Sequence, residues 1–151
     1  MKFVSKELAI KLRNKGFDKP CYGWYYIETP TGRTDGELVL NRYSCRGGTY
    51  KETLERHIDF QPKEGFVEYV YSNIVDAPTI EQVLEWLREE KYINFVIFPY
   101  TYTAGVYYNL IILKINPDIK FKTDEYPINI PYKSFDDACI SGIEYVINNL
   151  I

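Results

Sequence analysis

The segment from residue 77 to 91 constrains the fold of this chain more than any other. Thr79 followed by Gln82 at the third position is a capping box, which satisfies backbone N–H groups at the start of a helix. Apolar residues then recur at helical spacing, at Val83, Leu84 and Leu87. We therefore predict an amphipathic helix over residues 79–91, with Trp86 at least partly buried against a sheet.

Two strand patterns follow this helix directly. Residues 94–102 and 106–114 are rich in aromatic and β-branched side chains, and Thr103-Ala104-Gly105 between them is a turn sequence. This order predicts an antiparallel hairpin. Because proline cannot donate a hydrogen bond, Pro99 should place the first strand at a sheet edge or in a bulge.

The alternation of side chains along these strands also assigns their faces. One face of the first strand carries Phe98, Tyr100 and Tyr102, and one face of the second carries Val106, Tyr108, Leu110 and Ile112. If Leu110 and Ile112 face the core, Tyr108 follows them inward and Tyr107 faces out. We expect this outward surface to belong to a contact with a partner or a second copy.

The remaining elements are predicted from caps, breakers and alternation. They are a helix capped by Ser5 and running to about Lys15, an antiparallel strand pair at 24–29 and 37–44, a strand at 66–71, and a final helix opened by Ser134. Residues 50–64 favour a loop, and Pro127 and Pro131 punctuate an extended stretch. The order predicts a single α+β domain over residues 1–151, with a mainly antiparallel sheet and about three helices on one face.

Composition narrows the class of protein further. With 151 residues, 46% hydrophobic and 26% charged, the chain has the profile of one globular domain and not of a disordered chain. No apolar run approaches the roughly 20 residues that span a bilayer, and the residues after Met1 lack an apolar export segment. We therefore expect a cytoplasmic protein with no membrane partner.

Three cysteines and one histidine are the residues that suggest covalent chemistry. A thiol hydrolase would pair Cys21 or Cys45 with His57, whereas Cys139 has the pattern of a small buried hydrophobe. The odd cysteine number without a CxxC spacing predicts neither a disulfide framework nor a structural zinc. We predict no metal and no cofactor, and we treat Cys21, Cys45 and His57 as weak catalytic candidates only.

Charge is distributed unevenly along the chain. Residues 1–63 carry 12 Lys and Arg against 8 Asp and Glu, a balance of +4, and residues 64–151 carry 6 against 13, a balance of −7. The basic half, together with stacking tyrosines, leaves binding of single-stranded nucleic acid as an alternative function. The overall pI of about 5.3 disfavours it.

Four segments carry a resemblance to a known family. They are residues 3–9, the turn at 15–21, residues 77–89, and the final helix with Ala138 and Gly142-Ile143-Glu144. Together they are similar to a family of short proteins from prophage and mobile-element regions of gut bacteria, a family without an assigned activity. The resemblance implies a phage-type accessory protein. The hairpin from Tyr100 to Tyr108 departs from the family in its high tyrosine content.

Tyrosine is the one residue type in marked excess, with 15 copies. An AT-rich coding sequence produces such an excess without selection, but tyrosine is also enriched at protein interfaces. We predict a non-enzymatic module that binds a protein partner or itself through the tyrosine-rich hairpin. The candidate binding residues are Tyr100, Tyr102 and Tyr107.

Overall fold

A computed structural model describes residues 1–28, 31–40, 73–119 and 122–151. Within these ranges the chain forms three helices and two three-stranded antiparallel sheets, which confirms the α+β class. The chain divides into two compact units, Met1–Thr79 and Ile80–Ile151, each with one of the sheets. The strand predicted at residues 66–71 and the loop predicted at 50–64 lie outside the described residues.

The first unit opens with helix α1, Lys6–Asn14. The Ser5 hydroxyl accepts a hydrogen bond from the Leu8 backbone N–H at 3.3 Å, so the predicted cap is confirmed. Gly16 follows the helix in the left-handed region, with φ of 88°. Glycine adopts this conformation without a steric penalty, which explains why the helix ends here.

The first sheet has strand β1, Gly23–Tyr26, between β2, Val39–Leu40, and β3, Ile74–Asp76. The antiparallel pairing of β1 with β2 is confirmed, with Trp24 opposite Val39. Strand β3 was not predicted from the sequence. Three residues are too few to show the alternation that identifies a strand.

Side chains of α1 join this helix to the sheet. The Arg13 guanidinium donates to the Ile74 carbonyl at 2.9 Å, and the Lys6 ammonium lies 2.6 Å from Asp35 Oδ1. Both cationic side chains are partly buried. The Tyr25 hydroxyl donates to the Val4 carbonyl at 2.6 Å inside the unit.

The second unit contains the rest of the secondary structure. Its elements are α2 (Ile80–Glu90), β4 (Ile93–Tyr102), β5 (Gly105–Ile115), β6 (Thr123–Tyr132) and α3 (Phe135–Asn149). The predicted helix, hairpin and final helix are confirmed to within one or two residues, and Ser134 caps α3 through the Asp137 N–H at 3.0 Å. No helix in the described ranges is both long and apolar enough to cross a membrane.

The second sheet has the order β4-β5-β6, with both pairs antiparallel. Among the described residues β4 is therefore an outer strand, as Pro99 predicts. Strand β6 was not predicted, because Pro127 and Pro131 interrupt its pattern. Both prolines are tolerated because an outer strand leaves half of its N–H groups outside the ladder.

Helix α3 packs against all three strands, and α2 packs against β4 and α3. The strands contribute Ile93, Leu110 and Ile112 to the buried core, and the helices contribute Val83, Trp86, Leu87, Ile143, Val146 and Ile147. We call this side of the sheet the helix face. Phe135, the first residue of α3, is exposed.

Gly142 is the point of closest approach between α3 and the sheet. A Cβ at this position would lie 2.5 Å from Phe95 Cε2 and 2.9 Å from Leu110 Cδ2, both shorter than carbon atoms tolerate. The absence of a side chain therefore lets the helix backbone sit directly on the helix face.

Trp86 is 1% exposed, which confirms its predicted burial. Its indole Nε1 donates to Glu90 Oε2 at 2.9 Å, so the polar atom of the ring is satisfied. The Lys91 ammonium lies 4.9 Å from the ring centroid, within range of a cation–π interaction.

Replacing Trp86 with alanine removes the largest fully buried side chain of the core. We expect Trp86→Ala to lower the free energy of unfolding by about 3 to 5 kcal/mol. The exposed Arg88 on the same helix provides the control, and Arg88→Ala should change stability by less than about 0.5 kcal/mol. Urea denaturation of both variants tests this, and similar midpoints would contradict the packing described.

Gly142→Ala sets two effects against each other. Alanine favours a helix by about 1 kcal/mol over glycine, whereas overpacking a core costs about 1 to 3 kcal/mol. Because the new methyl group would strike Phe95 and Leu110, we expect net destabilisation. In a Phe95→Leu background the space reopens, and Gly142→Ala should become neutral or stabilising. Equal effects of Gly142→Ala in the two backgrounds, measured by a double-mutant cycle, would refute the contact.

Candidate binding site

The register of β4 and β5 determines which hairpin residues share a face. Tyr100 lies directly opposite Tyr107, and Ile97 lies opposite the buried Leu110. The first pair therefore belongs to the side of the sheet away from the helices. This confirms that Tyr107 points away from Leu110, while Tyr108 lies on the helix face and is half-buried. Its ring makes an edge contact with Phe135, with centroids 6.4 Å apart.

We call the side opposite the helices the tyrosine face. Strands β4 and β5 contribute to it Val96, Phe98, Tyr100, Tyr102, Tyr107, Ile111, Leu113 and Ile115. Phe98 is 40% exposed and Tyr102 is 65% exposed, so this apolar surface meets solvent. Of the described strand residues on this face, Glu125 in β6 is the charged one. Contiguous exposed apolar surface of this kind typically marks an interaction site.

A pocket of about 460 Å³ lies at the hairpin end of the tyrosine face. It is lined by Tyr100, Tyr102, Ala104, Tyr107 and Pro131, and we call it the tyrosine pocket. The Tyr100 and Tyr102 rings meet at 76° with centroids 5.6 Å apart, and the Tyr100 and Tyr107 rings lie 6.0 Å apart at 31°. The structure thus brings together the three tyrosines that the sequence selected as binding residues.

Local sequence and strand pairing build this pocket together. Gly105, with φ of 136°, turns the chain so that β4 and β5 pair as far as Tyr102. The hairpin register then sets Tyr100 beside Tyr107. Pro131 comes from β6, beyond a register irregularity of its pairing with β5 between Tyr108 and Leu110. The sequence analysis missed Pro131 and Ala104, because strand β6 was not recognised and Ala104 was read as part of the turn alone.

The chemistry of the tyrosine pocket is that of ring faces and phenol hydroxyls. Among the described residues, its lining contains no acidic, basic or thiol side chain. The pocket can bind an apolar group, a flat ring or a cation that the electron-rich ring faces attract.

A second pocket, of about 300 Å³, lies near the opposite end of the hairpin. Its two basic residues are Lys91 and Lys114, and its lining also includes Asp124. The Lys114 ammonium donates to the Leu150 carbonyl at 2.9 Å, and Lys91 lies over the Trp86 ring. Because both cations already have protein partners, this pocket is a weaker candidate.

The cysteine candidates receive no support from the described residues. Cys21 is buried, and its thiol donates to the Lys19 carbonyl at 3.3 Å. Burial raises the pKa of the Cys21 thiol, and the negative charge of Asp76 adds to the increase. Cys21 is therefore held as the thiol, whereas a nucleophile must be the thiolate. Cys45 and His57 lie outside the described residues, and Cys139 is fully buried in α3, as predicted.

Within residues 1–28, 31–40, 73–119 and 122–151, no group of three or more His, Cys, Asp or Glu side chains is arranged to hold a metal ion. Comparisons of this chain with known protein families, with curated proteins and with solved structures return no match. We therefore infer function from the geometry of the tyrosine face and the tyrosine pocket.

The environment of Cys21 predicts low reactivity toward alkylating reagents. We expect iodoacetamide at pH 8 to leave Cys21 unmodified in the native protein and to modify it rapidly in urea, because only unfolding exposes the thiol and restores its ordinary pKa. Peptide mapping by mass spectrometry measures the extent of alkylation at each cysteine, with the fully buried Cys139 as the matched control. Native labelling of Cys21 at the rate of a small free thiol would contradict the burial.

Proposed function

We propose that this chain is a non-enzymatic, cytoplasmic accessory protein of mobile-element type, which acts by protein binding and self-associates through the tyrosine face. The observation that carries the proposal is an exposed apolar sheet face on which Glu125 is the one charged side chain among the described strand residues. The accessory role and the compartment rest on the sequence alone. Self-association rests on the arguments that follow.

A second copy of the chain is the occupant that this face suits. The helices cover one side of the β4-β5-β6 sheet, and two such sheets can pack face to face about 10 Å apart. In a two-fold dimer the same patch contacts itself, so an apolar face automatically meets an apolar face.

The distribution of charge in the second unit also favours the tyrosine face as the contact between two copies. Residues 80–151 carry six Lys and Arg against ten Asp and Glu, a balance of −4. Two copies repel each other where acidic surfaces meet, and this repulsion is smallest at a surface nearly free of charge. The tyrosine face meets that condition.

The size of the face sets the expected strength of the dimer. Three strands about 4.8 Å apart and about 33 Å long cover on the order of 500 Å² before side-chain relief is counted. A standard interface buries about 800 Å² on each partner. We therefore expect a weak dimer whose population depends on protein concentration.

The alternative functions draw less support. Single-stranded nucleic acid would require cations beside the stacking rings, and neither Lys nor Arg is among the described residues that line the tyrosine pocket. A thiol hydrolase would require a reactive cysteine, and Cys21 is buried with a raised pKa. Protein binding requires neither feature.

The proposal predicts that one charge on the tyrosine face disrupts self-association. Phe98→Lys places an ammonium in the middle of the apolar contact, where it would lose its hydration, so the dimer should dissociate at least tenfold more readily. Sedimentation equilibrium over a range of protein concentrations measures the change.

Val106 provides the matched control. It is exposed apolar surface on the same hairpin, 53% exposed, but it belongs to the opposite face of the sheet. Val106→Lys should leave the dimer intact, and thermal melts should show both variants folded. A monomeric wild-type protein at all concentrations, or equal effects of the two variants, would overturn the proposal.

A further inference from the structure

The rings of the tyrosine pocket form a corner. Tyr102 stands nearly perpendicular to Tyr100, and Tyr107 lies beside Tyr100 at a smaller tilt. The ring centroids of Tyr102 and Tyr107 lie 5.6 Å and 6.0 Å from the Tyr100 centroid, so a group seated in the corner contacts more than one ring. Aromatic rings present negative charge on their faces and attract a cation within about 6 Å of the centroid.

The charges around the pocket favour a positive ligand. Among the described lining residues there is no basic side chain, so none of them places a cation over the ring faces. Residues 80–151 have a balance of six basic against ten acidic side chains, and a net negative unit raises the local concentration of cations. The ligand and the site are therefore complementary in charge.

The described lining residues offer ring faces and phenol hydroxyls but no carboxylate, and this favours one kind of cation. A primary ammonium is strongly hydrated and needs acceptors to replace its water. A quaternary ammonium has no N–H group and a diffuse charge, so ring faces alone can replace its weak hydration. A volume of about 460 Å³ is enough for a trimethylammonium group and the chain that carries it.

We propose that the tyrosine pocket binds a quaternary ammonium group, of the kind found on a trimethylated lysine side chain or on choline. This site does not rest on the proposed self-association, since every described lining residue belongs to one copy; a dimer formed through the tyrosine face would compete with the ligand for the three tyrosines. The two sources share one chemistry, and the experiment below separates them.

The decisive comparison is between choline and its neutral isostere 3,3-dimethyl-1-butanol. Both have the same shape, and only choline is charged. We expect choline to bind at least tenfold more tightly, measured by NMR titration of the Tyr100, Tyr102 and Tyr107 ring signals. The titration is run on the wild type at low and at high protein concentration, so that monomer and dimer are both sampled and failure of self-association is distinguished from failure of cation binding.

Substitutions in the pocket test which groups bind the cation. Tyr102→Leu should weaken choline binding at least fivefold, whereas Tyr102→Phe, which keeps the ring, should preserve it. Tyr22→Leu provides a control at a tyrosine that is 47% exposed and outside the pocket. Because Tyr102 is itself 65% exposed, its replacement should leave folding intact, and a thermal melt checks this.

The source of the cation is assigned by comparing choline with a short peptide that carries trimethyl-lysine and with the same peptide unmodified. Preference for the methylated peptide assigns a protein partner, and preference for choline assigns a small molecule or a lipid headgroup. Equal binding of choline and its neutral isostere would overturn the proposal. So would the absence of binding by both cations, or choline binding that Tyr102→Leu does not change.

Discussion

The close approach of α3 to the second sheet at Gly142 is the contact on which the Ile80–Ile151 unit depends. Without a side chain at Gly142, the helix backbone meets Phe95 and Leu110 directly. This contact determines which face of β5 becomes the core, because side chains along a strand alternate between faces. Once Leu110 and Ile112 are buried beneath the helices, Tyr107 and Ile111 necessarily lie on the other side. The exposed tyrosine face is thus a consequence of how the core is packed.

The same alternation makes the face chemically uniform. On strand β5 the residues that share a side with Tyr107 are polar but uncharged or apolar, whereas the charged Lys114 lies on the helix face and bonds to the end of α3. The acidic surplus of residues 80–151 is consequently carried mainly by the helices and by β6. Under the proposed function, contact between copies is expected at the one nearly uncharged face of this acidic unit, and under the proposed cation site the electron-rich rings at the hairpin end attract a quaternary ammonium.

Local signals predicted the elements that are stabilised locally. The helix after Thr79 and the β4-β5 hairpin have strong caps, turns and alternation, and the structure confirms both elements. It also places Tyr100, Tyr102 and Tyr107 around one pocket. Sequence patterns did not predict the features that depend on contacts between residues far apart in the chain. Strand β6 forms by pairing with β5 although it contains two prolines. Pro131 lies at the pocket because the register of this pair is irregular, and no local sequence pattern predicts that irregularity. Cys21 sits in a polar, turn-rich segment, yet the packing of its unit buries it.

The prolines of the outer strands explain why association should use the face of the sheet and not its edges. An exposed outer strand normally invites another strand to add to the ladder, and proline prevents this by removing an N–H donor. Among the described residues both outer strands of the second sheet contain proline, Pro99 in β4 and Pro127 and Pro131 in β6. Tyrosine complements this protection, since its hydroxyl keeps an exposed apolar ring hydrated. These prolines thereby make the described outer strands poor partners for edge-to-edge growth, which is why the proposed self-association uses the face of the sheet.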